Sequence, residues 1–543
     1  MNKMPITVGI IGHRDAVIKK DHEKAFLDLL NSIYNKFPNS PITLFSQLAA
    51  GADMWAARLF VKHGDENNRD YRLFVPLPMP IEDYMKDFSP EERIEFEVLV
   101  QKSDRCFELD NSDNNLDLKY RNGGKFVADS TMILVALFDG KENNLTGGTA
   151  DIVYYKKNGV FKNDLDKTLS SSTGIVVELW CSREKSSNAE NISLQLANVY
   201  KNYIKGRVIE KTLKKVDFGN RIYSKLKTKI EANSNTLYPN EPTSKKQNFL
   251  KLSYGLWDSC AEYYQKKYFL NLKLLSVFGL LLLVFFEIYR KETTDEFYPL
   301  VIIALAIAIF VIYQKIRGKN EHLYYIENRI LAESIRVQFF WNKAGIQEQV
   351  TKYILRIHKK EYNWINAILN AIQGLSYQPS TRDSIDFDGI EKYWITDQKE
   401  FFHSALLKLD KRRNFHRYLT GSLVGFSLLI FIAIFSIELT GDYRAIEPSL
   451  IMVISILIGC FILIKGYYEK RGFNQISNQY ELMLNVFKAT ESKINLINKS
   501  DLPKDEKEKR IKNLFFLAGK EALVEKGNWY SIFKDKELEL EGI

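Results

Sequence analysis

Cysteine is scarce: 543 residues hold four, Cys106, Cys181, Cys260 and Cys460, far apart and with no CxxC pair. That excludes a disulfide framework and a zinc site, and it fits a reducing compartment. A concentrated block of one charge is missing too. Lysine and arginine total 76 against 67 acids, and the formal charge of +9 is spread along the chain. A dedicated binder of nucleic acid polymers is therefore not indicated, and anionic lipid or a small anionic ligand fits better. An export signal is also lacking. The apolar part of MNKMPITVGIIGHRD is short and runs into a glycine turn, so the N-terminal region is expected to stay in the cytosol. No motif calls for a metal or a cofactor, and none is expected.

Long apolar runs, in contrast, are abundant in the second half. They cover about 268–289 (YFLNLKLLSVFGLLLLVFFEIY), 298–313 (YPLVIIALAIAIFVIY), 418–437 and 449–464. Each approaches the ~20 residues that cross a ~30 Å hydrocarbon layer as a helix. Helices of a soluble core normally keep a polar stripe, and these keep almost none. Lys273 and Glu287 lie near opposite ends of the first run, where long side chains reach the interface. The flanks set an orientation, because lysine and arginine beside membrane helices favour the cytoplasm. Lys266 and Lys267 precede the first hairpin and Lys315, Arg317 and Lys319 follow it, while RKETTDEF between the runs has Arg290 and Lys291. Lys411, Arg412, Arg413 and Arg417 precede the second hairpin and Lys465, Lys470 and Arg471 follow it, while GDYRAIEP has Arg444 alone. The expectation is a multi-pass membrane protein with N-terminal region, middle segment and C-terminus in the cytoplasm.

The two hairpins also resemble each other. IRGKNEHLYYIENRIL aligns with KRGFNQISNQYELMLN, pairing Arg317 with Arg471, Gly318 with Gly472, Asn320 with Asn474 and Glu327 with Glu481. A constant offset and equivalent placement argue for tandem helical units. The polar stretches SNTLYPNEPTSKK and GLSYQPSTRDSIDFDG are expected as the loops before each unit. The division is 1–210, a helical linker 211–247, a first helical unit 248–373, a loop 374–389 and a second helical unit 390–543. Trp257, Trp341, Trp364 and Trp394 are assigned to packing.

Before the membrane region, strand-like and helix-like segments alternate. PITVGII, PITLF, YRLFVPL, TMILVALF and GIVVELW read as strands, separated by helical periods such as DHEKAFLDLLNSIYNKF. Alternation of this kind implies a mainly parallel sheet with helices on both faces, and ligands of such sheets sit beyond the carboxyl ends of the strands. The unusual residues fall there: GHRD after the first strand, AAGAD after the second, PLPMP after the third, and DG followed by LTGGTADIV (145–153). Glycines permit close backbone approach, helix starts offer unpaired amides, and an arginine can pair with two phosphate oxygens. The candidate ligand-binding residues are Gly12, His13, Arg14, Gly51, Ala52, Asp53, Asp139, Gly140, Gly147, Gly148, Thr149 and Asp151. Asp53 either caps the following helix through its carboxylate or meets a ribose hydroxyl.

In this order, GIIGHRD, LAAGADMWAARLF, VPLPMPIEDYMKDF, ADSTMILVALFDG and TGGTADIVYY resemble the SLOG superfamily, the Rossmann-like domains related to DNA-processing protein A and the Lonely Guy phosphoribohydrolases. The resemblance covers about residues 1–210. It implies that the glycine-rich loop before a helix, here Gly147, Gly148 and Thr149, holds a nucleotide phosphate. The enzyme members place a proline before the glycines, a further glycine before the threonine and paired glutamates after it. This chain has Thr146 before them, no intervening glycine, and Ala150 and Asp151 after them. Binding survives that departure and no catalytic residue is assigned. SLOG domains fused to membrane helices resemble effectors of bacterial antiviral systems. The expected fold is therefore a Rossmann-like α/β domain followed by an all-α membrane region of four transmembrane helices and long cytosolic helices. The expected partners are a nucleotide-derived second messenger, such as a cyclic oligonucleotide or an ADP-ribose derivative, and the lipid bilayer. Four spans per chain cannot enclose a wide aqueous path, so a homo-oligomer is implied. The alternative is a membrane-anchored nucleotide phosphoribohydrolase with Asp151 or Asp53 as its acid.

Overall fold

The structure, a computed structural model, describes residues 3–110, 115–141, 145–162, 174–184, 199–239, 245–291, 297–354, 363–377, 385–440 and 447–534. It divides into two compact units, Met1–Trp257 with Ser334–Ile385, and Asp258–Glu333 with Asp386–Ile543.

The first unit is built on six parallel strands: β1 (Ile6–Gly12), β2 (Ile42–Phe45), β3 (Tyr71–Leu77), β4 (Arg105–Glu108), β5 (Ile133–Phe138) and β6 (Ile175–Trp180). Their order is β4-β3-β2-β1-β5-β6. Val8 pairs with Ile133 on one side of β1, and Ile6 with Ile42 on the other. β1, β2 and β5 are buried almost throughout, which is why they read as unbroken apolar runs rather than as alternation. β4 has one buried residue in four. Short and half-polar at the sheet edge, it left no strand signature in the sequence. Helices α1 (Lys20–Lys36), α2 (Ala52–Glu66), α3 (Ile81–Tyr84), α4 (Pro90–Gln101), α5 (Leu116–Ser130), α6 (Thr149–Asn158) and α7 (Val199–Tyr203) connect or follow the strands. The chain winds outward from β1 to β4 and then returns to β5 beside β1, so the β1–β5 seam is the point where the strand order reverses.

The same unit contains α8 (Val208–Leu237) and α12 (Asn363–Ser376). Arg105 on β4 donates to the carbonyls of Leu375 and Tyr377 at 2.9 and 2.6 Å, closing off the end of α12. Tyr377 packs its ring on Phe107 and Phe126, centroids 5.4 and 5.0 Å apart. Residues 211–237, expected as a linker, lie on α8, where Gly219 sits against Trp257 and Lys215 lies over the Trp364 ring at 3.8 Å. Trp257, Trp341, Trp364 and Trp394 are all buried.

The second unit holds most of α9 (Lys245–Lys291), then α10 (Phe297–Lys319), the start of α11 (Glu321–Lys343), and α13 (Phe387–Ile390), α14 (Asp397–Thr440), α15 (Glu447–Arg471), α16 (Phe473–Lys499) and α17 (Lys504–Lys534). Four helices are long and apolar enough to cross a membrane. Their apolar windows are 11% buried in the first and 0% in the other three, so among the described residues nothing covers side chains such as Leu300, Phe426 and Leu439, as suits a surrounding apolar phase. The spans are stretches of longer helices rather than separate elements. Lys273 is exposed, and Glu287 is buried and paired with Arg290 at 2.8 Å.

A left-handed residue ends each hairpin, Asn320 (φ 46°) after α10 and Gly472 (φ 64°) after α15. Those breaks are equivalent in the fold but two residues out of step with the alignment that pairs Asn320 with Asn474. The expected interhelical loops are shorter than their polar composition suggested. Residues 234–237 finish α8 and Lys245 opens α9; 374–376 finish α12. Residues 240–244, 292–296, 378–384 and 441–446, with most of RKETTDEF and GDYRAIEP including Arg444, lie outside the described residues. Two helices belong to both units, α9 changing unit after Trp257 and α11 after Glu333. In the first unit the Arg336 guanidinium of α11 donates to the Tyr254 hydroxyl of α9.

Candidate functional site

At the carboxyl edge of the sheet, the loops after β1 and β2 are interlocked. A Cβ on Gly12 would stand 2.3 Å from the Ala52 Cβ, and one on Gly51, whose φ is 84°, would stand 2.2 Å from the Arg14 carbonyl oxygen. The Ala52 amide donates to the His13 carbonyl at 3.3 Å. The glycines of GHRD and AAGAD thus serve backbone against backbone within the protein. Gly51 is the N-cap of α2, with no side-chain cap bond. Asp53 is 4% exposed, and burial pushes its carboxyl up to about 8 against hydrogen bonds from the backbone of Gly12 and Ala49. Of the two roles weighed for Asp53, helix capping through the side chain is not what the carboxyl does. It braces the two loops from beneath.

Two polar groups fan out from this brace. On the β5 side, His13 Nε2 is 3.4 Å from Asp139 Oδ1, and burial lowers the imidazole below its ordinary value despite that carboxylate. Asp139 also accepts the Lys141 amide at 3.1 Å, across the Gly140 turn at φ 73°, where Trp180 packs. Asp15 takes Arg183 Nε on both oxygens, at 2.9 and 3.1 Å. On the β3 side, Arg14 donates to the Tyr120 hydroxyl at 2.9 Å, and that hydroxyl donates to Asp87 at 3.1 Å. Arg14 and Asp87 are 3.6 Å apart and each 45% exposed, so the triangle is open to solvent and its ion pair is weak. Beside it the Tyr84 hydroxyl is buried with no hydrogen-bond partner among the described residues.

LTGGTADIV forms the start of α6. Gly148 is the N-cap, at φ −74° and ψ 164°, and Thr149 opens the helix. The amides of Thr149 and Ala150 lie in the first turn, where no intrahelical carbonyl reaches them. Gly147, at φ 77°, is glycine for another reason: a Cβ there would meet the Asp117 oxygen and Arg121 nitrogen of the α5 backbone at 2.6 and 2.9 Å. Asp151 accepts the Gly147 amide at 3.0 Å and pairs with Arg121 at 3.3 Å, both largely buried. It pins the loop to α5.

Gly12, His13, Arg14, Gly51, Ala52, Asp53, Asp139 and Gly140 thus gather at the edge of β1, β2 and β5, while Gly147, Gly148, Thr149 and Asp151 form a second group on α6. Adjacent residues of α5 hold both, Tyr120 touching Arg14 and Arg121 touching Asp151. Tyr120, Arg121, Asp87 and Arg183 had not stood out in the sequence. KYRNGGKF reads as an ordinary helix, and only the tertiary approach marked by Gly123, whose Cβ would strike the Gln47 amide at 2.0 Å, reveals which face meets the loops. Among the described residues no three His, Cys, Asp or Glu side chains cluster as metal ligands. No protein-family model matches the sequence, and no curated protein matches it.

Proposed function

We propose that the carboxyl-edge loops sense a nucleotide-derived second messenger, a cyclic oligonucleotide or an ADP-ribose derivative, and that binding makes a homo-oligomer of this chain permeabilise the bacterial inner membrane in antiviral defence. The reading joins the SLOG resemblance to one observation. An exposed arginine, Arg14, and a helix start with first-turn amides free of intrahelical carbonyls, those of Thr149 and Ala150, are held by consecutive residues of α5 at the seam where the strand order reverses. Open α/β sheets take ligands at that seam, and a cation beside helix-start amides suits phosphate. The same chain carries four membrane-length helices, for which a metabolic nucleotide hydrolase has no evident use. Hydrolysis would need Asp151 or Asp53 as acid. Asp151 is occupied by Arg121 and Gly147, and Asp53 is buried beneath the loops, so their engagement favours binding over cleavage.

The test is to incubate purified protein in liposomes with candidate nucleotides while following ligand breakdown and dye release together. Release without breakdown is the expected result. Breakdown without release would replace this reading with the phosphoribohydrolase, and neither would leave a scaffold.

A further inference from the structure

The cytoplasm-facing chemistry of the second hairpin is concentrated at one place. KRRNFHR (411–417), immediately before the apolar run of α14, exposes Lys411, Arg412, Arg413 and Arg417. Asp410 holds Arg413 at 2.8 Å, but among the described residues Lys411, Arg412 and Arg417 make no ion pair. α15 runs back alongside. His416 stacks on Tyr468 with centroids 3.9 Å apart and planes 19° from parallel, which ties the basic ends of the two helices together. Lys465 of α15 is likewise exposed and outside any ion pair among the described residues.

About two to four turns further into the apolar run, α14 and α15 part to leave a groove of about 300 Å³. Leu423, Val424, Ser427 and Phe431 line one wall and Ile458 and Phe461 the other. The Ser427 hydroxyl is spent on the Leu423 carbonyl at 2.8 Å, so the walls offer no polar contact of their own. Groove and cations are continuous. Lys465 Nζ lies over the Phe461 ring, 5.9 Å from its centroid. Arg417 precedes Val424 by seven residues, on the same helix face and about 10 Å along the axis.

We propose that this is a binding site for one anionic phospholipid, with its phosphate-bearing headgroup on Arg417, Lys465 and Arg412 and part of one acyl chain in the groove. The cations match the headgroup and the apolar walls match the chain, and a single molecule supplies both at this spacing. A soluble anion would leave the groove unused. A zwitterionic lipid would fill the groove without neutralising the collar. A second copy of this protein would bring the same cations to the same mouth, and like charges oppose that approach.

The full-length protein, purified in detergent, is titrated with phosphatidylglycerol or phosphatidylcholine of identical chains, and bound lipid is counted by native mass spectrometry. Phosphatidylglycerol is expected to be retained about tenfold more tightly, since each basic residue near an anionic headgroup adds several-fold. Arg417→Gln with Lys465→Gln should bring the two lipids close to parity, and both positions are exposed, so the fold should survive. Ser427→Phe should fill the groove and weaken both lipids. Equal retention by the parent protein would overturn the headgroup assignment, as would displacement of phosphatidylglycerol by inorganic phosphate at equal concentration. Undiminished retention in Ser427→Phe would overturn the groove, and a change of oligomeric state in that variant in place of lipid loss would give the groove to a second copy.

Discussion

Burial holds Asp53 far from its ordinary state. An aspartate carboxyl titrates near ~3.9 in an unfolded chain, and burial here raises it to about 8. The folded protein therefore holds a proton that the unfolded chain gives up across that interval. This contribution to stability is complete below the lower value and is lost as pH rises through the upper one. Asp53→Asn, which stays neutral at every pH, should melt progressively higher than the parent protein between pH 5 and 8. A difference that shrinks with rising pH would mean that the native carboxyl is charged. The two glycines of LTGGTADIV separate at this scale too. Gly147→Ala should lower the melting temperature, because its φ and the α5 backbone both refuse a Cβ. Gly148→Ala should fold normally and lose nucleotide affinity in calorimetry. Arg14→Ala should lose a charge-assisted contact of about 1.5–3 kcal/mol, or affinity by tenfold or more; unchanged affinity would place the ligand elsewhere. The sequence marked these glycines and charges as unusual, but one letter cannot say whether a glycine makes room for a ligand or for a neighbouring helix. Gly12, Gly51 and Gly147 make room for the protein itself.

At the scale of elements, strands buried on both faces and the uniformly apolar spans were legible because their environment imposes a composition. β4 was not, since an edge strand of four residues with one buried position imposes almost none. The docking of α12 was also hidden: NWINAILNAIQGLS announces an amphipathic helix, but its partner is 270 residues away in sequence. That contact is testable. Arg105→Ala removes the donor to two carbonyls at the end of α12, an interaction of about 1.5–3 kcal/mol for a charged donor. Hydrogen exchange should accelerate across α12 while β1 and β5 keep their protection. Uniform acceleration across the sheet would instead make Arg105 a part of the global core.

For the molecule as a whole, the orientation expected from the charge bias can be tested directly. A cysteine at Gly441 should label from the periplasmic side and one at Ser380 only after lysis, and the reverse pattern would remove a cytosolic ligand from consideration. The passage of α9 and α11 through both units carries a practical corollary. The sheet and its helical cover are not one uninterrupted stretch of gene: ending translation at 210 or 257 removes α12 and the Tyr377 ring that covers Phe107 and Phe126, and the fragment should be poorly soluble. Because Arg336 reaches Tyr254, the severed ends at 257 and 334 are near neighbours, and a few glycines can bridge them. A spliced polypeptide of 3–257 joined to 334–385 should be soluble without detergent, bind nucleotide as the parent does and leave liposomes intact.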